Sequence, residues 1–202
     1  MPFPPAHRVI YKKNPLVEVI CQFRFPPILS IETEVPAKLQ EAIRNMYPLF
    51  TENAEILFTI PNVSNNVDAA VAQKLEFPPS SINRKNYEFR SADENWKINL
   101  TRDFLALSTT HYHRWEEFSA QLDQAFHAFI EIYSPAYFSR IGLRYRDIIN
   151  RSVLSLEGAN WSDLLKPYVL GILNDPAITA NVIATTNITE IRLSDNQSVV
   201  RI

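Results

Sequence analysis

Two histidines after a strand-like segment form the first pattern in this sequence that could carry chemistry. His111 and His113 are separated by one residue and follow the apolar stretch 104–110. Residues two apart in an extended chain point to the same side, so the two imidazole rings can share a metal ion. A carboxylate can complete the ligand set, and the chain offers three nearby: Asp103, Glu116 and Glu117. Because no HExxH motif accompanies the pair, a metal site at His111 and His113 is one hypothesis among several.

Three arginines on one face of a predicted strand form the second pattern. The alternation predicts a strand over 138–150, with Arg140, Arg144 and Arg146 facing one way. Three guanidinium groups on one face repel each other unless carboxylates or a bound anion neutralise them. Glu18 lies on the polar face of the first predicted strand, and it is a natural partner for Arg144 or Arg146 if the two strands are neighbours. Two interpretations stay open: a salt-bridged network, the commoner arrangement, and a site where Arg140, Arg144, Arg146 and Glu18 bind an anion or a partner.

Alternating and helical patterns predict the elements that would position these residues. Apolar residues alternate from 16 to 25, which predicts a strand with one apolar face. Apolar residues at helical spacing predict one helix from Thr33 to about Phe50, and an aromatic stripe predicts a second over 115–133. Breakers between short apolar runs predict an antiparallel meander of five strands at 55–60, 70–77, 87–90, 96–100 and 104–110.

The C-terminal third repeats a similar order of elements. After the strand 138–150, we expect a helix over 161–173 that is broken or kinked at Pro167, a strand over 179–193 and a returning strand over 198–202. The predicted fold class is therefore α+β, with a curved antiparallel sheet and two long helices on one face. The order of elements is also consistent with two related β-α-β-β units, the second incomplete. The predicted domains are 1–135 and 136–202, the second packed on the same sheet or beside it.

Composition excludes several classes of protein. The chain has 202 residues, and 20 basic against 22 acidic residues give a net charge of -2, which disfavours general nucleic-acid binding. Only three glycines are present, too few and too scattered for a phosphate-cradling loop. A single cysteine, the lack of a signal-peptide pattern and the lack of a long apolar run predict a soluble, cytoplasmic protein without a membrane span.

Two motifs carry a resemblance to a known family. The pattern Y-x-x-N-P-L-x-E-V occupies residues 11–19, and R-I-G-L-R-Y occupies residues 140–145, with W-E-E-F between them at 115–118. In this order they resemble a sporadically distributed bacterial family of unknown function. The resemblance implies an uncharacterised bacterial protein and supplies no catalytic residues.

Three functional hypotheses follow from these patterns. The first is a non-enzymatic interaction or regulatory protein that binds a protein partner, or a second copy of itself, through an exposed edge strand or through the incomplete second unit. The second is a small-molecule module whose cavity between helix and sheet takes an anionic or mixed apolar ligand. The third is a metal-dependent hydrolase that uses His111 and His113. Since no complete catalytic signature is present, we assign no catalytic residues and no cofactor, and we favour the first hypothesis.

Overall fold

The computed structural model describes residues 7, 9–10, 14–55, 84–179 and 181–202. The chain forms two compact units. The larger comprises Leu16–Ile148, and the smaller comprises Met1–Pro15 together with Ile149–Ile202. The predicted strands at 55–60 and 70–77 lie, apart from residue 55, outside the described residues. Among the described helices, none has the length and apolar character that crossing a membrane requires.

The larger unit is built on a six-stranded sheet in which every neighbouring pair is antiparallel. Its strands are β1 (Leu16–Arg24), β2 (Leu49–Glu55), β3 (Arg84–Arg90), β4 (Trp96–Leu100), β5 (Phe104–Thr109) and β6 (Arg140–Asp147). The spatial order is β2-β3-β4-β5-β1-β6, so the sheet is open and β2 and β6 are its edges. Together with the helices, this antiparallel sheet confirms the predicted α+β class.

The alternation in β1 determines which face of the sheet is buried. Val19, Cys21 and Phe23 are buried, whereas the intervening residues of β1 are only half-buried. In register with them on β5 are Thr109, Leu107 and Leu105, which are also buried. This shared face forms the core of the larger unit.

One long helix covers that face. Besides the short α1 (Ser30–Thr33) and α2 (Ala37–Ile43), the larger unit contains α3, Trp115–Tyr133. The predicted helix over 115–133 is thus confirmed, and its aromatic stripe packs on β1, with the rings of Phe126 and Phe23 4.6 Å apart. Ser134 ends α3 in the left-handed conformation at φ 42°, and its N–H donates to the carbonyl of Ile130.

The prediction of one helix from Thr33 to Phe50 is wrong. Thr33 is the last residue of α1, Glu34 is extended, and α2 begins only at Ala37. The break has a local cause, because the residue before Pro36 is disfavoured in helical conformation. Phe50 belongs to β2, so the sheet carries one long helix instead of the predicted two.

Short helices and a hairpin make up the described part of the smaller unit. The helices are α4 (Trp161–Leu164), α5 (Pro167–Leu170), a 3₁₀ helix (Gly171–Asn174) and α6 (Pro176–Thr179). The predicted helix over 161–173 is broken before Pro167, one of the two outcomes expected there, because Leu165 is extended and Pro167 starts a separate helix. The predicted strand over 179–193 is reduced to β7 (Glu190–Arg192), which pairs with β8 (Val199–Arg201).

The strand β6 belongs to the larger unit. The predicted second domain, 136–202, begins with this strand, which pairs with β1 in the six-stranded sheet, while β7 and β8 form a sheet of their own. The division of the chain at residue 135 stays a prediction. A relation between two β-α-β-β units stays a prediction.

Candidate functional site

The strand β6 lies at one end of the six-stranded sheet that the described residues form. It pairs with β1, and no described strand lies on its other side. In an antiparallel pair the backbone groups of alternate residues point away from the partner, so an edge strand offers a row of N–H and C=O groups for further pairing. With 8 residues, β6 is long for an unprotected edge.

One face of β6 is apolar and exposed. Ile141, Leu143 and Tyr145 lie in register with the buried Phe23, Cys21 and Val19 of β1. Their exposed fractions are nevertheless 66%, 45% and 44%. The buried face of β1 therefore continues on β6 as an exposed apolar strip, defined here as Ile141, Leu143 and Tyr145.

Tyr145 is the best anchored residue of this strip. Its ring lies edge-on to the ring of Tyr112, with the centroids 5.6 Å apart. Partial burial and a hydrogen bond with Tyr112 raise the pKa of the Tyr145 phenol above its ordinary value, so the group is neutral at physiological pH. The strip thus presents a neutral aromatic ring at one end and an aliphatic side chain at the other.

The opposite face of β6 carries the predicted arginines. Arg140, Arg144 and Arg146 share this face and are exposed. The strands β1 and β6 are neighbours, as an ion pair between Glu18 and these arginines requires, and Glu18 lies opposite Arg146. Among the described residues, however, no carboxylate forms an ion pair with any of these arginines. The predicted salt-bridged network is not formed by the part of the chain that the structure describes.

Cations elsewhere on the same sheet face are neutralised. Arg90 and Lys97, which lie in one row of the sheet with Arg144, both form ion pairs with Glu88. Burial disfavours the charged form of Glu88, but the hydrogen bond from Arg90 and the charge of Lys97 outweigh it and lower the pKa of the carboxyl. Arg90 also forms an ion pair with Glu94, so two carboxylates balance the two cations at the β3–β4 end of this face, whereas the β1–β6 end is basic.

A fourth arginine joins the basic end. Arg24 is exposed and lies directly opposite Arg140 in the register of β1 and β6. Its Nε donates a hydrogen bond to Gln22 Oε1 at 3.4 Å, so the side chain folds back along β1. The alternation of β1 places Arg24 on the polar face of that strand. This pattern in the sequence could have added Arg24 to the predicted group of arginines.

The side chain of Arg140 folds in the same direction. A Cβ built on Gly142 would lie 3.4 Å from Nη2 and 3.6 Å from Cζ of Arg140. Gly142 is paired with Gln22, the residue toward which Arg24 folds. Arg24 and Arg140 therefore both lean toward the Gln22–Gly142 row, and Arg144 lies in the next row on the same face.

The two histidines predicted as metal ligands lie in a different setting. His113 Nδ1 is 3.2 Å from Glu117 Oε1, and Arg114 donates to the same oxygen at 2.7 Å. These two contacts lower the pKa of Glu117. His111 contacts the hydroxyl of Thr110 at 3.4 Å. Within the described ranges, no group of three histidine, cysteine or acidic side chains is placed to hold a metal ion.

Comparison with protein-family models, with curated proteins and with solved structures finds no match to this chain. The resemblance carried by residues 11–19 and 140–145 therefore stays a prediction.

Proposed function

We propose that this protein is a non-enzymatic interaction protein that binds an extended segment of a partner protein along β6. The observation that carries the proposal is the exposure of β6 on both faces while one of its edges has no described neighbouring strand. We place its action in the cytoplasm, because its single cysteine fits a reducing compartment.

Pairing with an edge strand supplies both affinity and specificity. The main chain of an added strand hydrogen-bonds to the free N–H and C=O groups of the edge, and its side chains fall alternately on the two faces. Neighbouring side chains on one face of a sheet interact when they are opposite each other. The side chains of β6 therefore determine which sequence fits beside it.

Charge and polarity specify the partner segment. On one face the added strand would meet the apolar strip Ile141, Leu143 and Tyr145, and on the other the arginines at 140, 144 and 146. A segment in which acidic and aliphatic residues alternate satisfies both faces. We therefore propose a partner with an acidic–aliphatic alternating segment about as long as β6, which has 8 residues.

The same charges disfavour pairing between two copies of the chain. Antiparallel pairing of β6 with β6 around a two-fold axis would bring the two arginine rows onto one face, side by side. Like charges directly opposite each other on neighbouring strands are destabilising. An acidic partner relieves this repulsion, whereas a second copy increases it.

Peptide binding measured by fluorescence anisotropy tests the proposal. A labelled peptide of alternating glutamate and valine is compared with a peptide of the same composition in which the residues are blocked instead of alternating. We expect the alternating peptide to bind. Ile141→Lys is expected to weaken its affinity about 10-fold, because lysine replaces an exposed apolar side chain that contacts the peptide. Val153→Lys, at an exposed aliphatic residue of the smaller unit, is the matched control and leaves binding unchanged.

Three results would overturn the proposal. The first is equal binding of the alternating and the blocked peptide, which would mean that charge alone attracts them. The second is an unchanged affinity in Ile141→Lys. The third is a stable dimer in sedimentation analysis that the alternating peptide does not dissociate, since β6 would then be occupied by a second copy.

A further inference from the structure

The basic end of the sheet has a feature that binding of an acidic segment does not explain. Arg24 and Arg140 are directly opposite each other on neighbouring strands, an arrangement that costs free energy when no anion is present. Their side chains do not diverge, because both fold toward the Gln22–Gly142 row. Like charges that converge on one spot indicate a place where a counter-charge binds.

Gly142 lets the guanidinium group of Arg140 lie close over the strand. A positive φ occurs at Gly171 among the described glycines, so Gly142 is not required for a left-handed backbone. The nearest atoms to a Cβ built on Gly142 all belong to Arg140, so close packing against the core does not require glycine either. Glycine inside a strand lowers its stability and often marks a position that a ligand approaches closely.

Two acidic residues lie near this spot, and neither forms an ion pair with Arg24, Arg140 or Arg144. Asp103 adjoins Phe104, the residue opposite Arg24, but it forms an ion pair with Arg84 at 3.3 Å and accepts a hydrogen bond from Thr101 at 2.9 Å. Glu18 lies opposite Arg146, at the other end of β6. Arg24 and Arg140 in one row of this face, and Arg144 two rows along it, thus form no ion pair with a carboxylate among the described residues.

We infer that Arg24, Arg140 and Arg144 form a binding site, beside the Gln22–Gly142 row, for a phosphomonoester on the partner segment. The inference rests on the proposed function and specifies its partner as a phosphorylated one. A carboxylate brings one negative charge and two oxygens, whereas a phosphomonoester brings about 1.5 to 2 negative charges at pH 7 and three acceptor oxygens. Planar guanidinium groups match these oxygens with paired hydrogen bonds. The amide of Gln22 lies in register beside the same spot.

Three peptides that differ at one position test the inference. All carry the acidic–aliphatic alternation, and the central residue on the acidic face is serine, glutamate or phosphoserine. We expect phosphoserine to bind at least about 10-fold more tightly than glutamate, and glutamate more tightly than serine. If phosphoserine binds no more tightly than glutamate while Ile141→Lys still weakens both, the phosphate site is refuted and the proposed function stands. If none of the peptides binds, the proposed function fails.

Substitutions in the protein identify the residues responsible. Arg140→Gln is expected to reduce the preference for phosphoserine over glutamate to less than about 3-fold, whereas Arg192→Gln, at an exposed arginine of the smaller unit, preserves it. Gly142→Asp places a carboxylate beside the guanidinium of Arg140 and is expected to abolish the preference without lowering the melting temperature. A preference that survives both Arg140→Gln and Gly142→Asp would overturn the assignment.

Two further ligands distinguish the source of the phosphate. Free O-phosphoserine is expected to compete only weakly, because it lacks the strand that pairs with β6. Equal affinity for the free amino acid and the phosphopeptide would overturn the assignment to a partner segment. A single-stranded oligonucleotide carries phosphodiesters, which have one charge each, and tighter binding of this ligand than of the phosphopeptide would also overturn it.

Discussion

Replacement of Phe129 by alanine tests whether α3 is attached to the sheet as described. Phe129 is fully buried, at 0% exposure, on the face of α3 that packs against the sheet. Its ring lies 4.8 Å from that of Phe25, just beyond β1, and 5.4 Å from that of Tyr133. Phe129→Ala removes the contact that joins the C-terminal half of α3 to the end of β1.

The expected loss follows from the size of the side chain and the size of the unit. Truncation of a fully buried phenylalanine costs about 3–5 kcal/mol, and the higher helix propensity of alanine returns about 0.5 kcal/mol. A net loss of about 3.5 kcal/mol is therefore expected. With an unfolding entropy of about 2.1 cal/mol/K per residue over Leu16–Ile148, this loss lowers the melting temperature by about 12 °C.

Urea unfolding and calorimetry provide the measurement. Trp96 and Trp115 both contact Phe118 of α3, so tryptophan fluorescence reports on this layer. Tyr137→Ala, at a residue that is 61% exposed, is the matched control and changes the free energy of unfolding by less than about 0.5 kcal/mol. A decrease of less than about 4 °C in Phe129→Ala, or an equal decrease in the control, would refute the packing of α3 on β1.

Two further predictions concern buried ionisable groups. Glu88 is 7% exposed and its pKa lies below 4.5, so its ion pairs stabilise the fold above that pH and are lost as the pH falls through the lowered pKa. Glu88→Gln should lower the free energy of unfolding by about 2 kcal/mol at pH 7, and the difference from wild type should disappear as the pH falls through the lowered pKa of Glu88. A difference that persists in acid, after the carboxyl is protonated, contradicts the ionic role. Burial raises the pKa of the Cys21 thiol to about 11. Because the thiolate is the reactive form, an aromatic disulfide reagent at pH 8 should react with the native protein about 100-fold more slowly than with the unfolded protein. Rapid labelling of the native protein would contradict the burial of Cys21.

The elements that were predicted well are those whose sequence pattern is consistent along their whole length. The alternation of β1 and the aromatic stripe of α3 each follow one period, and their bounds agree with the structure to within a residue. The helix predicted to Phe50 failed because its apolar spacing continues across Pro36 and into β2. Apolar spacing alone does not indicate such a change of backbone conformation, whereas Pro36 does, because the residue before a proline disfavours the helical conformation.

The residues of the candidate site were predictable from the sequence, whereas their position at the edge of the sheet was not. The alternation placed Arg140, Arg144 and Arg146 on one face, and the structure has them there. That β6 is an edge of the sheet depends on which strands pair, and strand order is decided by contacts between distant segments that a single sequence does not display. The apolar residues of β6 were therefore indistinguishable from core residues until the sheet order was known.

The position of β1 between β5 and β6 sets an order of events during synthesis. Val19 is paired with Thr109 on one side and with Tyr145 on the other, so β1 leaves the ribosome long before either neighbour exists. The hairpins β3–β4 and β4–β5 close over short loops and can form as soon as they emerge. Until residue 109 is made, neither strand that pairs with β1 exists, and the nascent chain keeps an unpaired apolar strand, which makes this interval the one in which a chaperone has most to protect.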